Sequence, residues 1–146
     1  MLDKVLTVLI GLIGGFSVGF QAPIVGAMSQ RVGGAASSFI VHVGGAILAG
    51  VLLLARHGEK IGEWRGLPWY MLASGVFGVV LYLTLTRTLP ELGAGVSVTL
   101  IIVGQLVVGM LIDQFGWFDL PVRPIDGPRL LGAALLLLGS YIMVSR

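Results

Sequence analysis

Five long apolar stretches, separated by short charged turns, occupy nearly all of this chain, and their length decides what it can fold into. They run approximately over residues 5–28, 35–55, 67–86, 92–112 and 128–144. A helix rises about 1.5 Å per residue, so about 20 apolar residues are needed to cross the ~30 Å hydrocarbon layer of a bilayer. The first four stretches reach that length, and the fifth does so only when Pro128 and Arg129 begin it. The chain is therefore expected to be an all-α integral membrane protein, a single membrane domain of five transmembrane helices. An odd number of crossings puts the two termini on opposite sides of the membrane. A second copy fused behind the first would enter upside down, so five helices read as one half of an inverted-repeat transporter architecture.

The composition points the same way. Only 11% of the 146 residues are charged and the mean hydropathy is +1.00, whereas an ordinary soluble domain is about a quarter charged. The isoelectric point near 9.4 comes from basic residues scattered through the turns. They form no stripe that would track nucleic acid. The chain has no cysteine, which excludes disulfides, thiol nucleophiles and thiolate metal sites. No spacing suggests a metal-ligand cluster, a glycine-rich phosphate loop or a nucleophile–base pair. Neither a metal nor a cofactor is expected, and the chain does not read as an enzyme. The first stretch exceeds a signal-peptide core and no small-residue cleavage signature follows it, so no cleaved leader is expected.

Charge in the turns predicts orientation. The side holding the N-terminus carries Lys4, Arg56, Lys60, Arg65, Arg123 and Arg129, and the other carries Arg31, Arg87 and Arg146. Lys and Arg in short loops mark the cytoplasmic side, so the N-terminus is expected inside and the C-terminus outside. Trp64, Trp69 and Trp117 lie near that same face, as an interfacial aromatic belt would have them.

Lipid gives apolar helices no reason to prefer one another, so small residues that permit close approach must hold such a bundle together. Gly11, Gly15 and Gly19 form one face of the first span, and Gly132 and Gly139 stand one heptad apart in the fifth. These five are the candidate helix-packing positions. Pro23, lacking an N–H, is expected to kink or loosen the end of the first helix. Ser74, Gly78, Tyr82 and Thr86 form a drifting small and polar stripe along the third span.

Polar groups inside a span are costly unless they face protein or water, so function is sought there. Counting about 1.5 Å per residue from each span's middle places Gln21, His42, Tyr82, Ser97 and Thr99 within about 4–8 Å of the midplane on one side. Gln105 lies across the midplane on the same helix as Ser97, and both could line one cavity. Thr99 points nearly opposite to Ser97 and is expected to bond its own helix. The substrate-cavity candidates are therefore Gln21, His42, Tyr82, Ser97 and Gln105. His42 is the ionisable group well inside a span, and histidine changes charge between about pH 5 and 8, which makes it a possible proton carrier. The alternative is a neutral imidazole bonded to Gln21, Tyr82 or a backbone carbonyl. Gln21 and Gln105 could bind substrate or simply each other. No Asp, Glu, Lys or Arg lies deep in a span.

The chain resembles the drug/metabolite transporter superfamily, in particular its small five-helix bacterial branch, the YdcZ-type membrane proteins. The most specific part is Gly104-Gln105-Leu106 followed by Ile112-Asp113-Gln114-Phe115-Gly116. Gln21 ahead of Gly33, Phe39, Leu92-Gly93-Ala94 and Arg129-Leu130-Leu131-Gly132 support it. Two positions depart from the pattern: Val25 stands where an Asn would follow Gln21 by four, and His42 stands where glycine would. The resemblance implies a multi-pass protein of the bacterial inner membrane that works as a pair of inverted units and moves small molecules by alternating access. The partner would be an identical chain or a homologous inverted one. The competing reading is a non-transporting accessory or assembly subunit that packs through its glycine faces.

Overall fold

The computed structural model describes residues 2–145. Arg146, counted above in the charge bias, lies outside the described residues. The described chain is helical throughout, with α1 at Leu2–Val32, α2 at Gly34–Ala55, a one-turn α3 at Trp69–Leu72, α4 at Gly75–Phe115 and α5 at Gly127–Val144. Short 3-10 turns at Ile61–Gly66 and Trp117–Asp119 fill two of the connections. Helices suit this sequence because each satisfies its own backbone N–H and C=O groups, which hydrocarbon cannot do.

The helices that are long and apolar enough to cross a membrane are Leu2–Val32, Gly34–Ala55, the 47-residue run Trp69–Phe115, and Gly127–Val144. The long run would measure about 70 Å at 1.5 Å per residue, more than twice a hydrocarbon layer. It is two helical segments, since the backbone leaves helical geometry at Gly93, with φ 77° and ψ 167°. A side chain makes that conformation costly, and glycine adopts it freely. The third and fourth expected spans therefore meet at one residue, where the sequence suggested a turn over 87–91. Helix persists through that stretch, and the Arg87–Glu91 ion pair at 2.9 Å depends on the i,i+4 spacing of helix. Pro90 sits within the helix at this point. Within the third span, Ala73 and Ser74 form a turn between α3 and α4. Helix α1 runs unbroken through Pro23 to Val32, so the proline does not end it.

The chain forms two compact units that divide between Glu91 and Leu92. In the first, the buried positions of α1 are Ala22, Val25, Gly26 and Ser29, and those of α2 are Ser37 and Ser38. The spacing of three and four in α1 marks one face of that helix, and the two serines are neighbours at the start of α2. The chain turns between them at Gly33, whose N–H donates to the Ser29 carbonyl at 2.9 Å. The leading segment of α4 closes on both helices. A Cβ added at Gly26 would lie 2.6 Å from Leu89 Cδ1, one at Gly34 would lie 2.9 Å from Thr86 Oγ1, and one at Gly78 would lie 2.8 Å from His42 Nε2. Gly78, Tyr82 and Thr86 are thus the side of α4 that meets α2.

The packing glycines expected from sequence behave differently. Nothing comes within 4 Å of a Cβ built on Gly11, Gly15, Gly19, Gly132 or Gly139. The face carrying Gly11, Gly15 and Gly19 belongs to a stretch, residues 2–21, that is exposed on every side. Within the chain, close packing falls to Gly26, Gly34 and Gly78 instead.

Candidate functional site

In the first unit three of the sequence-predicted residues form a connected chain across three helices. The side chain of Gln21 on α1 reaches toward the Tyr82 hydroxyl on α4. The Tyr82 ring meets His42 on α2 edge-on, with centroids 5.2 Å apart and planes at 84°. His42 Nδ1 lies 2.7 Å from the Ser38 carbonyl oxygen, one turn back on α2. A carbonyl only accepts, so Nδ1 carries the proton in the neutral ring and Nε2 holds the lone pair. That lone pair points toward Gly78, where the absent side chain leaves just enough room for the ring.

This arrangement accounts for one departure from the YdcZ-type pattern. An imidazole at position 42 fits because position 78 is glycine. The other departure, Val25, is completely buried, at 0% exposure. An apolar side chain suits a position that offers no water. His42 also borders an open recess of about 260 Å³ with Ala35, Ser38, Phe39, Val79 and Leu83. One turn before Pro23, the Gly19 carbonyl has lost its helical donor, since proline has no N–H to offer it.

The second unit holds Ser97 and Gln105. Ser97 is 1% exposed, and its hydroxyl has no hydrogen-bond partner among the described residues. Thr99 donates to the Gly95 carbonyl of its own helix at 2.8 Å. Gln105 lines a groove of about 640 Å³ formed by the trailing segment of α4 and by α5, with Ile102, Leu106, Gly109, Met110, Asp113, Arg129, Gly132, Ala133 and Leu136. The five cavity candidates thus fall into two groups, Gln21–Tyr82–His42 in one unit and Ser97 with Gln105 in the other.

The most specific stretch of sequence, Asp113-Gln114-Phe115-Gly116, closes the connection between α4 and α5. The Asp113 carboxylate accepts from Arg129 Nη1 at 3.3 Å, and the Asp113 carbonyl accepts from the Arg123 N–H at 2.8 Å. Gln114 Oε1 accepts from the Ile125 N–H at 2.8 Å. Asp126 caps α5 by accepting from the Arg129 N–H at 2.9 Å, so one of the donors a helix start leaves open is satisfied. Gly116 ends α4 at φ 63°. A Cβ there would come within 2.8 Å of Val122 Cγ2 and 3.1 Å of the Leu120 carbonyl oxygen. Asp113 stands out in the sequence as part of the most specific motif of the resemblance, and its tie to Arg129 was missed there. The available signal was an acid and a base flanking one short connection. Ser38 was likewise missed, although it stands four residues before His42, the helical spacing for contact.

These features define a polytopic α-helical membrane protein that holds paired polar groups within its membrane helices. The chain belongs to the family described as "Putative inner membrane exporter, YdcZ", whose model matches residues 6–142. It is therefore a multi-pass inner-membrane protein. It is also similar to the inner membrane protein YdcZ of Escherichia coli strain K12, with 27% identity over 93 residues. That match covers 64% of this chain and 60% of the relative's length. No solved structure matches the chain.

Proposed function

We propose that the protein is a small-molecule secondary transporter, working as an exporter from two five-helix units by alternating access. The observation that carries this reading is the grouping of His42 on α2 with Tyr82 on α4, ring centroids 5.2 Å apart, and with Gln21 of α1 beside Tyr82, all three inside apolar helices. Such groups are expensive in hydrocarbon and mark substrate or ion pathways. In this reading Gln21, Tyr82, Ser97 and Gln105 contact the substrate, and His42 carries a proton on Nε2. The partner unit enters inverted, either as an identical chain or as a homologous one.

Two experiments test it. Proteoliposomes of the full chain are screened by counterflow with labelled neutral, zwitterionic and cationic small solutes. Gln21→Leu and Tyr82→Phe are expected to lower the rate of the solute that moves by about tenfold or more, since each leaves a polar partner unpaired in hydrocarbon. Full rates in both variants would sink the cavity, and His42→Gln transport with unaltered dependence between pH 5 and 8 would sink the proton role. Reporters on both termini in native membranes are expected to show two opposite populations for an inverted homodimer. A single orientation would require a different, oppositely inserted partner.

The exposed face of α1 at Gly11, Gly15 and Gly19 favours a second reading, a subunit that binds another membrane protein. It predicts that function survives the polar replacements and is lost with Gly15→Leu.

A further inference from the structure

We infer that the groove of the second unit holds a bilayer phospholipid, with its phosphate on Arg129 and one acyl chain along the groove. The groove's volume, about 640 Å³, falls in the ordinary range of ligand sites, about 300–1,000 Å³. Its walls, from Ile102, Leu106 and Leu136, are apolar, and nothing lies within 4 Å of a Cβ built on Gly109 or Gly132. A slender apolar chain has open space there. The charged groups stand at one end, where Asp113 lies two residues before the end of α4 and Arg129 in the first turn of α5. That is where apolar spans give way to connections, the level of lipid headgroups.

Length and charge both specify the occupant. From Asp113 to Ile102 the groove follows eleven residues of α4. At 1.5 Å per residue this is about 16 Å, the depth of one leaflet of a ~30 Å hydrocarbon layer. Arg129 uses Nη1 for Asp113 at 3.3 Å and for the Arg123 carbonyl at 2.9 Å. A guanidinium has five N–H donors, and the three on Nε and Nη2 make no hydrogen bond among the described residues. The two bonds on Nη1 hold the guanidinium in place, and its free edge presents the planar fork that matches phosphate oxygens. Basic pockets between membrane helices bind phospholipid headgroups in this way. Gln105, a substrate contact in the proposed function, also lines this groove, and lipid retention is read without any transport assay, so either reading can fail while the other stands.

The test is native mass spectrometry of the purified full-length chain in detergent with added dioleoyl phosphatidylglycerol. Dioleoylglycerol, which lacks the phosphate, is the control. The wild type is expected to retain phosphatidylglycerol and to retain dioleoylglycerol about tenfold less, the loss of one charge-assisted contact. Gly132→Leu puts a side chain into the groove from a position whose Cβ meets nothing within 4 Å, and is expected to abolish retention with little change in melting temperature. Arg129→Gln is expected to bring phosphatidylglycerol down to the dioleoylglycerol level. Equal retention of the two lipids, or undiminished retention in Gly132→Leu, would overturn the inference. A Gly132→Leu variant that dissociates a dimer while still retaining lipid would also overturn it and assign the groove to a second copy.

Discussion

The two units hold their helices by different means. Up to Glu91, helices meet at close approaches, where Gly26, Gly34 and Gly78 let Leu89, Thr86 and His42 come close. From Leu92 onward, the ties concentrate at the connection, around Asp113, Gln114 and Arg129, with a single 3.5 Å contact from Thr99 Oγ1 to Met143 Sδ near the other end, and an open groove lies along α4 and α5. The difference follows from the solvent. Hydrocarbon supplies no hydrophobic drive between helices, so cohesion must come from close backbone approach or from polar contacts. A polar tie costs least outside the hydrocarbon, where water solvates whatever remains unpaired. One unit uses close approach, which brings His42 and Tyr82 of different helices together. The other is tied at its end, and its helices leave space between them.

The sharpest way to break this contrast is to fill the seam of the first unit. Gly78→Leu drives a side chain into His42, and overpacking of this kind costs about 1–3 kcal/mol. Thermal unfolding in detergent should show a clear drop, with His42→Ala restoring much of it because the ring is the obstacle. A Gly78→Leu protein as stable as the wild type would mean that α2 and α4 are not closely packed.

A smaller effect is expected at Gly116, in the tie of the second unit. Gly116→Ala forces a side chain into a left-handed backbone position and against the Leu120 carbonyl. Strain of this kind costs about 1–3 kcal/mol, and at an exposed helix end, which yields more easily than a seam, the lower end applies. Gln114→Ala should follow with about 1 kcal/mol, the ordinary worth of the hydrogen bond it removes from the Ile125 N–H. Both are read from the same unfolding curves. If Gln114→Ala cost more than Gly78→Leu, the contrast between seam and tie would be reversed.

Much of this was legible in the sequence because span length and the distribution of charge follow directly from the bilayer. The polar residues of the first unit were legible for the same reason: Gln21, His42 and Tyr82 stand out in apolar runs. Which glycines pack was not. A glycine every four residues looks the same whether it faces a neighbour or open space, and only the partner helix decides. Gly11, Gly15 and Gly19 have the more regular pattern, yet Gly26, Gly34 and Gly78 meet side chains. The break at Gly93 was hidden as well, because Arg87 and Glu91 suggest a turn while their spacing also favours helix. The tie of Asp113 to Arg129 spans sixteen positions, beyond any local periodicity.

The smallest expected effect concerns those unoccupied glycines. Gly15→Ala meets nothing within 4 Å, so no contact within the chain is disturbed. Replacing a mid-helix glycine by alanine removes a backbone-entropy penalty of about 0.5–1 kcal/mol, so the isolated chain should become slightly more stable. The proposed dimer gives the opposite sign. If a partner helix lies against Gly11, Gly15 and Gly19, the added methyl group holds the two backbones apart and weakens association. Stability of the monomer and the dimer fraction, measured on one Gly15→Ala preparation by unfolding and by cross-linking in membranes, should therefore move in opposite directions. A variant that gains stability and loses no dimer would leave the α1 face to lipid and move the partner interface elsewhere on the chain.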